Sequence, residues 1–245
     1  MTTRPVFLVD ALPDGASTVL DGAEGHHAAT VRRLRAGEEL VLADGAGGVA
    51  DCVVAGPAEG GGLQLAVTAV RRLPPPDPRF VLVQALAKGD RGELAVELAV
   101  ELGVDEVVPW AAARSVVRWD STRGQRSLER WRSTARAAAK QSRRPWLPSV
   151  AEPASTRDVS GLIGAAAGAL VLHEAADVPL GSVPLPDGGD LVLVVGPEGG
   201  LDETELAAFT HAGATAVRLG TPVLRTSTAG AAALAALSLR TGRWA

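Results

Sequence analysis

A glycine-rich segment near the carboxyl end of the chain combines residue types that form ligand-binding turns. Residues 196–200 directly follow the apolar run 191–195, and Asp202 and Glu205 then stand at the spacing of a helix N-cap and its third residue. A strand, a glycine-rich turn and a helix N-terminus expose backbone N–H groups where small ligands usually bind. Neither Gly-Lys-Ser/Thr nor Gly-x-Gly-x-x-Gly is present, which argues against phosphate-loop and dinucleotide sites. A ligand site and a simple tight turn both remain compatible with the segment.

Two further turns have a similar setting. His173 and Glu174 follow an apolar strand predicted at 169–172, and another predicted strand ends at Leu219 and Gly220. Carboxyl ends of neighbouring parallel strands meet at one sheet edge. The three turns are therefore expected to surround one small ligand.

The turn before the last predicted helix, 228–240, carries a cation, Arg225. Ser227 or Thr228 can cap that helix, because a hydroxyl accepts a hydrogen bond from a free N–H of the first turn. Arg225 is a candidate for charge stabilisation of a reacting group, or else a surface or capping arginine.

An earlier glycine cluster, residues 44–48, also resembles a nucleotide-binding loop. Such a loop requires a helix after it, whereas residues 49–54 alternate as a strand does. A β-hairpin around this cluster is the favoured interpretation.

The region between residues 114 and 144 is strongly basic and contains only two acidic residues, Asp120 and Glu129. A long helix is predicted over 125–142, and basic residues recur along it every four positions, forming one stripe suited to phosphates. The members of this stripe are Arg132, Arg136, Lys140 and Arg144. Such a run can be a merely solvated face, but the scarcity of acids favours RNA contact.

The elements that must position these groups fall into two parts. Residues 1–72 read as short strands and turns, and the proline-rich segment 74–78 predicts an interdomain linker. Strands at 80–86, 106–110, 169–172, 191–195 and 216–219 then alternate with helices such as 90–102, which carries a leucine stripe. Uninterrupted apolar strands alternating with helices predict an α/β domain with a covered parallel sheet.

Composition narrows the class of protein. The chain has 245 residues, a formal net charge of −4 and one cysteine, Cys52, which is expected to fill the core and cannot form an intrachain disulfide. No apolar run is long enough to span a membrane, no signal peptide is recognised, and His26 and His27 lack partners at metal spacing. A cytoplasmic protein without a metal or a membrane partner is expected.

The motifs together resemble the SPOUT methyltransferases, and within them the RsmE family of 16S rRNA uridine N3-methyltransferases. The resemblance runs nearly end to end. It is carried by the segments 196–200, 219–220 and 224–229, by His27 with 31–35 and Gly37, and by 87–90, 101–104, 114–116 and 140–143 with Pro148. Two positions depart from the pattern, because the family often has Glu where Ser227 stands and an acidic residue where Lys140 stands.

The resemblance implies a PUA-like RNA-binding β-barrel at residues 1–72 and a SPOUT domain at 73–245, with a C-terminal trefoil knot at roughly 169–245. It also implies a homodimer that acts on 16S rRNA of the small ribosomal subunit, with S-adenosyl-L-methionine as cofactor. The implied cofactor-binding residues are Leu172, His173, Glu174, Gly196, Pro197, Glu198, Gly199, Gly200, Leu219, Gly220, Leu224, Arg225, Thr226, Ser227, Thr228 and Ala229. The candidate RNA-binding residues are His27, Arg32, Arg33, Arg35, Lys88, Arg114, Arg118, Arg132, Arg136, Lys140, Arg143 and Arg144.

Methylation at uracil N3 requires loss of the N3 proton, which a nearby cation would favour. Arg225 and Glu198 are therefore the candidate catalytic residues, Glu198 as proton acceptor or, as we favour, as a residue that orders its glycine loop. Two other functions remain open: a SPOUT enzyme acting on another RNA, such as tRNA ribose 2′-O-methylation, or a non-catalytic RNA-binding ribosome assembly factor.

Overall fold

The computed structural model describes residues 4–244, apart from the side chain of Ser121, and it contains two compact units. The first unit comprises residues up to 75 together with 139–147, and the second comprises 76–138 and the residues from 148 onward. The division falls inside the proline-rich segment at 74–78. Segment 139–147, however, belongs with the first unit, which a single boundary at residue 72 does not describe.

The first unit is a five-stranded sheet in the order β1-β3-β4-β5-β2. Its strands are β1 (Val6–Leu8), β2 (Ser17–Leu20), β3 (Glu39–Ala43), β4 (Gly48–Ala58) and β5 (Gly62–Arg72). β1 pairs in parallel with β3, and the other pairs are antiparallel.

The hairpin predicted around residues 44–48 is confirmed. β3 and β4 pair antiparallel across this turn. Asp44 Oδ1 accepts hydrogen bonds from the N–H groups of Ala46 and Gly48, at 2.7 and 2.8 Å. The aspartate therefore closes the turn by local hydrogen bonds, and no helix follows to form a nucleotide site.

Strands and turns alone do not describe the first unit, because it also contains helix α1 (Gly22–His26), which continues as a π-helical turn, His27–Val31. This helical segment covers the sheet through Ala28, which is fully buried among Phe7, Leu40 and Leu42. Cys52 lies in the same core, as expected for a small apolar filler.

The second unit contains the predicted parallel sheet, and its fold class is α/β. Seven strands pair in parallel in the order β10-β12-β9-β11-β6-β7-β8. The strands are β6 (Arg79–Ala85), β7 (Glu106–Trp110), β8 (Ser149–Val150), β9 (Gly168–Leu172), β10 (Val178–Pro179), β11 (Asp190–Val195) and β12 (Thr215–Arg218). The helices are α2 (Arg91–Glu101), α3 (Ser121–Gln141), α4 (Thr156–Ala165), α5 (Glu203–His211) and α6 (Thr226–Arg240), and the last three residues of α3 belong to the first unit. Each apolar run singled out in the sequence is a strand, whereas the two-residue strands β8 and β10 and helix α4 went unrecognised because they lack such a run.

The leucine stripe of α2 does not form its buried face. Ala95, Val96, Ala99 and Val100 are buried instead, and Leu94 is 41% exposed. Helix α2 packs against α6, which favours small residues on the shared face. On the side of α3, a Cβ on Gly92 would lie 2.8 Å from the Trp131 ring.

The end of the chain is tied to the start of the sheet. The Arg243 guanidinium donates to both carboxylate oxygens of Asp105, at 2.6 and 3.2 Å, and lies 4.3 Å from the Phe80 ring centroid. Arg240 donates to the carbonyls of Leu180 and Val183.

No helix in the described part of the chain is long and apolar enough to cross a membrane. The trefoil knot stays a prediction.

Candidate functional site

The three turns after β9, β11 and β12 line one cavity of about 570 Å³. They meet because β12, β9 and β11 are neighbours in the parallel sheet and their carboxyl ends share one edge. Fourteen of the sixteen predicted cofactor residues line the cavity, namely Leu172, His173, Glu174, Gly196, Pro197, Glu198, Gly199, Gly200, Leu219, Gly220, Leu224, Arg225, Thr226 and Ala229. Ser227 and Thr228 are not among the lining residues. Six further residues, which were not predicted as cofactor residues, also line the cavity: Arg91, Val195, Leu201, Arg218, Pro222 and Val223.

The glycine turn is held in a conformation that depends on its residue types. Gly200 has φ +75°, which an L-residue rarely adopts, and its N–H donates to the Pro197 carbonyl at 3.0 Å. A Cβ on Gly199 would lie 3.3 Å from the Arg114 carbonyl oxygen, so a larger residue would press on that segment. The turn therefore lines the cavity with backbone and without bulky side chains at Gly199 and Gly200.

Helix α5 begins at Asp202 with the predicted capping box. Asp202 Oδ1 accepts from the Thr204 N–H and from the Thr204 hydroxyl, and Glu205 Oε2 accepts from the Asp202 N–H. These hydrogen bonds from Thr204, and then the nearby charge of Arg114, lower the pKa of Asp202 below its usual value. The carboxylate form is thereby held at the helix N-terminus.

Glu205 links the glycine turn to the rest of the domain. It is only 4% exposed, and its Oε1 accepts from the Ala113 N–H at 2.7 Å and from the Thr156 hydroxyl at 3.1 Å. The loop after β7 and the start of α4 are thereby attached to the start of α5.

The surroundings of Glu198 do not fit the role of a free base. Its Oε1 accepts from the Lys88 N–H at 3.3 Å and from the Arg91 guanidinium at 3.2 Å. The glycine turn is thus attached to the loop between β6 and α2. This arrangement favours the loop-ordering role for Glu198. Apart from the neighbouring motif at 87–90, no sequence signal indicated Arg91 as its partner.

The predicted capping of α6 by Ser227 or Thr228 is wrong. Arg225 is the N-cap and its side chain makes no capping bond. Ser227 lies inside the first turn and is only 4% exposed, and the Thr228 hydroxyl donates to the Arg225 carbonyl instead of accepting from an N–H. The helix starts two residues earlier than predicted, which places Ser227 and Thr228 inside its first turn instead of at the N-cap.

Thr226 holds the start of α6 against the glycine turn. Its hydroxyl donates to the Gly196 carbonyl at 2.7 Å and accepts from Gln84 Nε2 at 2.9 Å. Gln84 is fully buried near the end of β6. It is the one polar residue in the apolar run 80–86, the one signal that could have identified it in the sequence.

The cavity wall carries charges of both signs. Arg225 is exposed, and its guanidinium makes no hydrogen bond or ion pair with any residue in the described range 4–244. Arg218 and Glu174 also line the wall, and His173 Nδ1 accepts from the Ala175 N–H, which leaves the ring proton on Nε2. Arg225 is therefore positioned at the cavity with its donors available.

Several predicted RNA-binding residues of the second unit have partners within the protein. The Arg118 guanidinium donates to the carbonyls of Ala112 and Ala113. Arg114 lies 3.6 Å from Asp202, and Arg132 pairs with Glu152 at 2.8 Å. The expected scarcity of acids near the basic stripe holds along the chain but not in space. Arg136 and Lys88 are exposed.

In the first unit, Lys140 is paired as well. Its ammonium lies 2.7 Å from Glu24 Oε1, and both side chains are less than a third exposed. Arg144 lies beyond the end of α3, so the predicted stripe is not one continuous helical face. His27 packs edge-on against Phe7. The remaining candidates of this unit are exposed at its surface: Arg32, Arg33, Arg35 and Arg143.

Comparison with known proteins gives matches along nearly the whole chain. Residues 75–238 match the model of the RNA methyltransferase domain family, and residues 20–67 match the RNA methyltransferase PUA domain. The ribosomal RNA small subunit methyltransferase E of Mycobacterium bovis is 51% identical over 98% of this chain and 93% of its own length. The protein of the same name from Bacillus subtilis is 30% identical, covering 91% of this chain and 90% of that one.

A solved structure agrees with the sequence relatives. The ribosomal RNA small subunit methyltransferase E of Neisseria gonorrhoeae, bound to S-adenosyl methionine, has a TM-score of 0.83 and 28% identity, covering 97% of this chain and 98% of that one. Identity, coverage and fold agree from end to end, and the SPOUT resemblance is confirmed. The chain belongs to the ribosomal RNA small subunit methyltransferase E (RsmE) family.

Proposed function

We propose that this protein transfers a methyl group from S-adenosylmethionine to N3 of a uridine in 16S rRNA of the small ribosomal subunit. The observation that carries the proposal is the cavity of about 570 Å³ formed by three turns at one sheet edge. The relatives' names supply the RNA class, and the Neisseria gonorrhoeae structure supplies the cofactor. The choice of N3 rests on the family resemblance and the chemistry of the cavity wall.

The cavity suits an adenosyl group with a charged tail. Its volume is within the range of small-molecule sites. Val195, Leu201 and Leu224 supply apolar surface, while the thin glycine turn brings backbone groups close to a ligand. Side chains of both signs, such as Glu174 and Arg218, stand at the wall and can bind an ammonium and a carboxylate.

When bound, S-adenosylmethionine supplies an electrophilic methyl group on a sulfonium. The protein's own contribution is positioning, exclusion of water and control of the proton at N3. Arg225 would stabilise the uracil anion that remains once the N3 proton has passed to water, because its guanidinium is available at the cavity. Glu198 would act on the glycine turn, since its Oε1 already accepts from Lys88 and Arg91.

RNA contact is proposed for the exposed basic residues of each unit taken separately. In the second unit the strongest candidates are Lys88 and Arg136, and in the first unit Arg32, Arg33, Arg35 and Arg143. Arg118 and Lys140 are weaker candidates, because their side chains already have partners in the protein. We also propose a homodimer and a cytoplasmic location, both on the family resemblance.

The deciding experiment incubates purified protein with labelled S-adenosylmethionine and unmodified small ribosomal subunits. Mass spectrometry of nucleosides and mapping of the label should give one 3-methyluridine in 16S rRNA. A ribose-methylated nucleoside, or label in tRNA only, would replace the proposal with the other-RNA function. Calorimetry without a cofactor signal, together with RNA binding, would indicate the non-catalytic assembly factor.

A further inference from the structure

Gln84 is a polar residue in the middle of an apolar sheet. It lies on β6 beside Val195 of β11 and Pro109 of β7, and it is fully buried. Its Oε1 atom is buried and accepts no hydrogen bond from any residue in the described part of the chain. Burying an amide with an unsatisfied oxygen is unfavourable, so an apolar residue would suit this position better if only packing were required.

The nitrogen of the same amide starts a hydrogen-bond chain to the cavity. Gln84 Nε2 donates to the Thr226 hydroxyl at 2.9 Å, and that hydroxyl donates to the Gly196 carbonyl at 2.7 Å. A hydroxyl has one proton, so accepting from Gln84 commits the Thr226 proton to Gly196. Thr226 and Gly196 both line the cavity, whereas Gln84 does not.

We infer that Gln84 is a positioning residue for the cofactor cavity, acting through Thr226 to join the start of α6 to the glycine turn. The two joined segments belong to different walls of the cavity and are separated by 30 residues in the chain. Preorganised walls bind a ligand more tightly because less ordering accompanies binding. This inference rests on the proposed function, since it assigns the cavity to S-adenosylmethionine.

Four substitutions test whether the hydrogen-bond chain is present and in which direction its bonds are donated. Gln84→Met removes the donor while keeping an unbranched side chain of similar length. Gln84→Glu places an acceptor carboxylate beside Thr226, which draws the hydroxyl proton away from Gly196. Thr226→Val removes the hydroxyl at nearly constant volume, and Thr226→Ser restores it.

The readout is the Kd for S-adenosylhomocysteine by calorimetry, alongside the melting temperature without ligand. We expect Gln84→Met and Thr226→Val to raise the Kd about tenfold, which corresponds to about 1.4 kcal/mol. Gln84→Glu should bind S-adenosylhomocysteine at least as weakly as these two variants, and Thr226→Ser should have a Kd near that of wild type. The double variant Gln84→Met/Thr226→Val should bind no more weakly than either single variant, because both remove one chain of bonds.

A matched control is Thr241→Val at the other end of α6. The Thr241 hydroxyl donates to the Leu237 carbonyl at 2.8 Å, and Thr241 does not line the cavity. This variant should lower the melting temperature and leave the Kd unchanged. If the Gln84 and Thr226 variants also lower only the melting temperature, the positioning role is overturned. If wild-type protein itself binds no S-adenosylhomocysteine, the proposed function fails instead, so the two failures are distinguishable.

Discussion

Glu198 forms an ion pair with Arg91, with 3.2 Å between Oε1 and Nη1, across 107 residues of sequence. The same oxygen accepts from the Lys88 N–H. Two donors thus converge on one carboxylate oxygen, which fixes the position of the Glu198 side chain. The pair therefore attaches the glycine turn to the loop before α2.

Substitution of Glu198 separates the ordering role from proton transfer. Glu198→Gln keeps an acceptor oxygen, so turnover should stay within about fivefold of wild type, whereas loss of a general base costs about 100-fold or more. Glu198→Ala should weaken cofactor binding about fivefold, because the turn loses its attachment. Single-turnover methylation and calorimetry measure the two effects. A collapse of turnover in Glu198→Gln at unchanged cofactor affinity would instead identify Glu198 as the base.

Arg225 should matter more for turnover than for cofactor binding. We expect Arg225→Ala to lower kcat about 100-fold, as removal of a charge-stabilising donor typically does, while the cofactor Kd changes little. The helix cap should survive, because Arg225 caps α6 without a side-chain hydrogen bond. Arg225→Lys retains the positive charge and should recover part of the rate. Unchanged turnover in the alanine variant would reject the role.

Arg136 and Lys140 should behave differently although both belong to the basic stripe. Arg136→Ala should reduce the slope of log binding constant against log salt by about 1, because an exposed arginine can release a counterion on binding RNA. Arg157→Ala, an exposed arginine on α4, is the matched control and should leave the slope unchanged. An unaltered slope for Arg136→Ala would remove it from the RNA surface.

Lys140→Ala should act mainly on stability. It breaks the half-buried pair with Glu24, and loss of a charged hydrogen bond of this kind lowers the free energy of unfolding by about 2 kcal/mol. Urea denaturation measures this, and Lys140→Arg, which can still reach a carboxylate, is the control. A salt slope that falls while stability is unchanged would return Lys140 to the RNA-binding residues.

Cys52 should be unreactive in the folded protein. Burial, and then the charge of Asp51, raises the pKa of its thiol from 9.0 to about 11. At pH 8 alkylation should be about 100-fold slower than in the urea-unfolded chain, because thiolate is the reacting form. A thiol pKa raised by folding contributes stability that is present below pH 9 and lost as pH rises toward 11. Denaturation of wild type and Cys52→Ala across this pH range isolates the effect on stability. Equal alkylation rates in the folded and the urea-unfolded chain would contradict the raised thiol pKa.

Local patterns in the sequence were sufficient for much of the fold. Apolar runs predicted the main strands of the parallel sheet, and the Asp202 and Glu205 spacing predicted the start of α5. These features were predictable because hydrophobic periodicity and capping depend on residues a few positions apart. Convergence of three turns followed from the rule that parallel strands end at one sheet edge.

The tertiary structure alone decided which side chains became partners. Gln84 and Thr226 are separated by 142 residues, and Lys140 and Glu24 by 116. No local period encodes such pairs, because they arise only when distant segments pack. The same reason explains two features of helix surfaces that the sequence did not indicate: packing against a neighbour buried the small residues of α2 rather than its leucine stripe, and it buried Ser227 inside α6. Residue types and spacing thus determined where a ligand could bind, and packing determined which residues hold that site in shape.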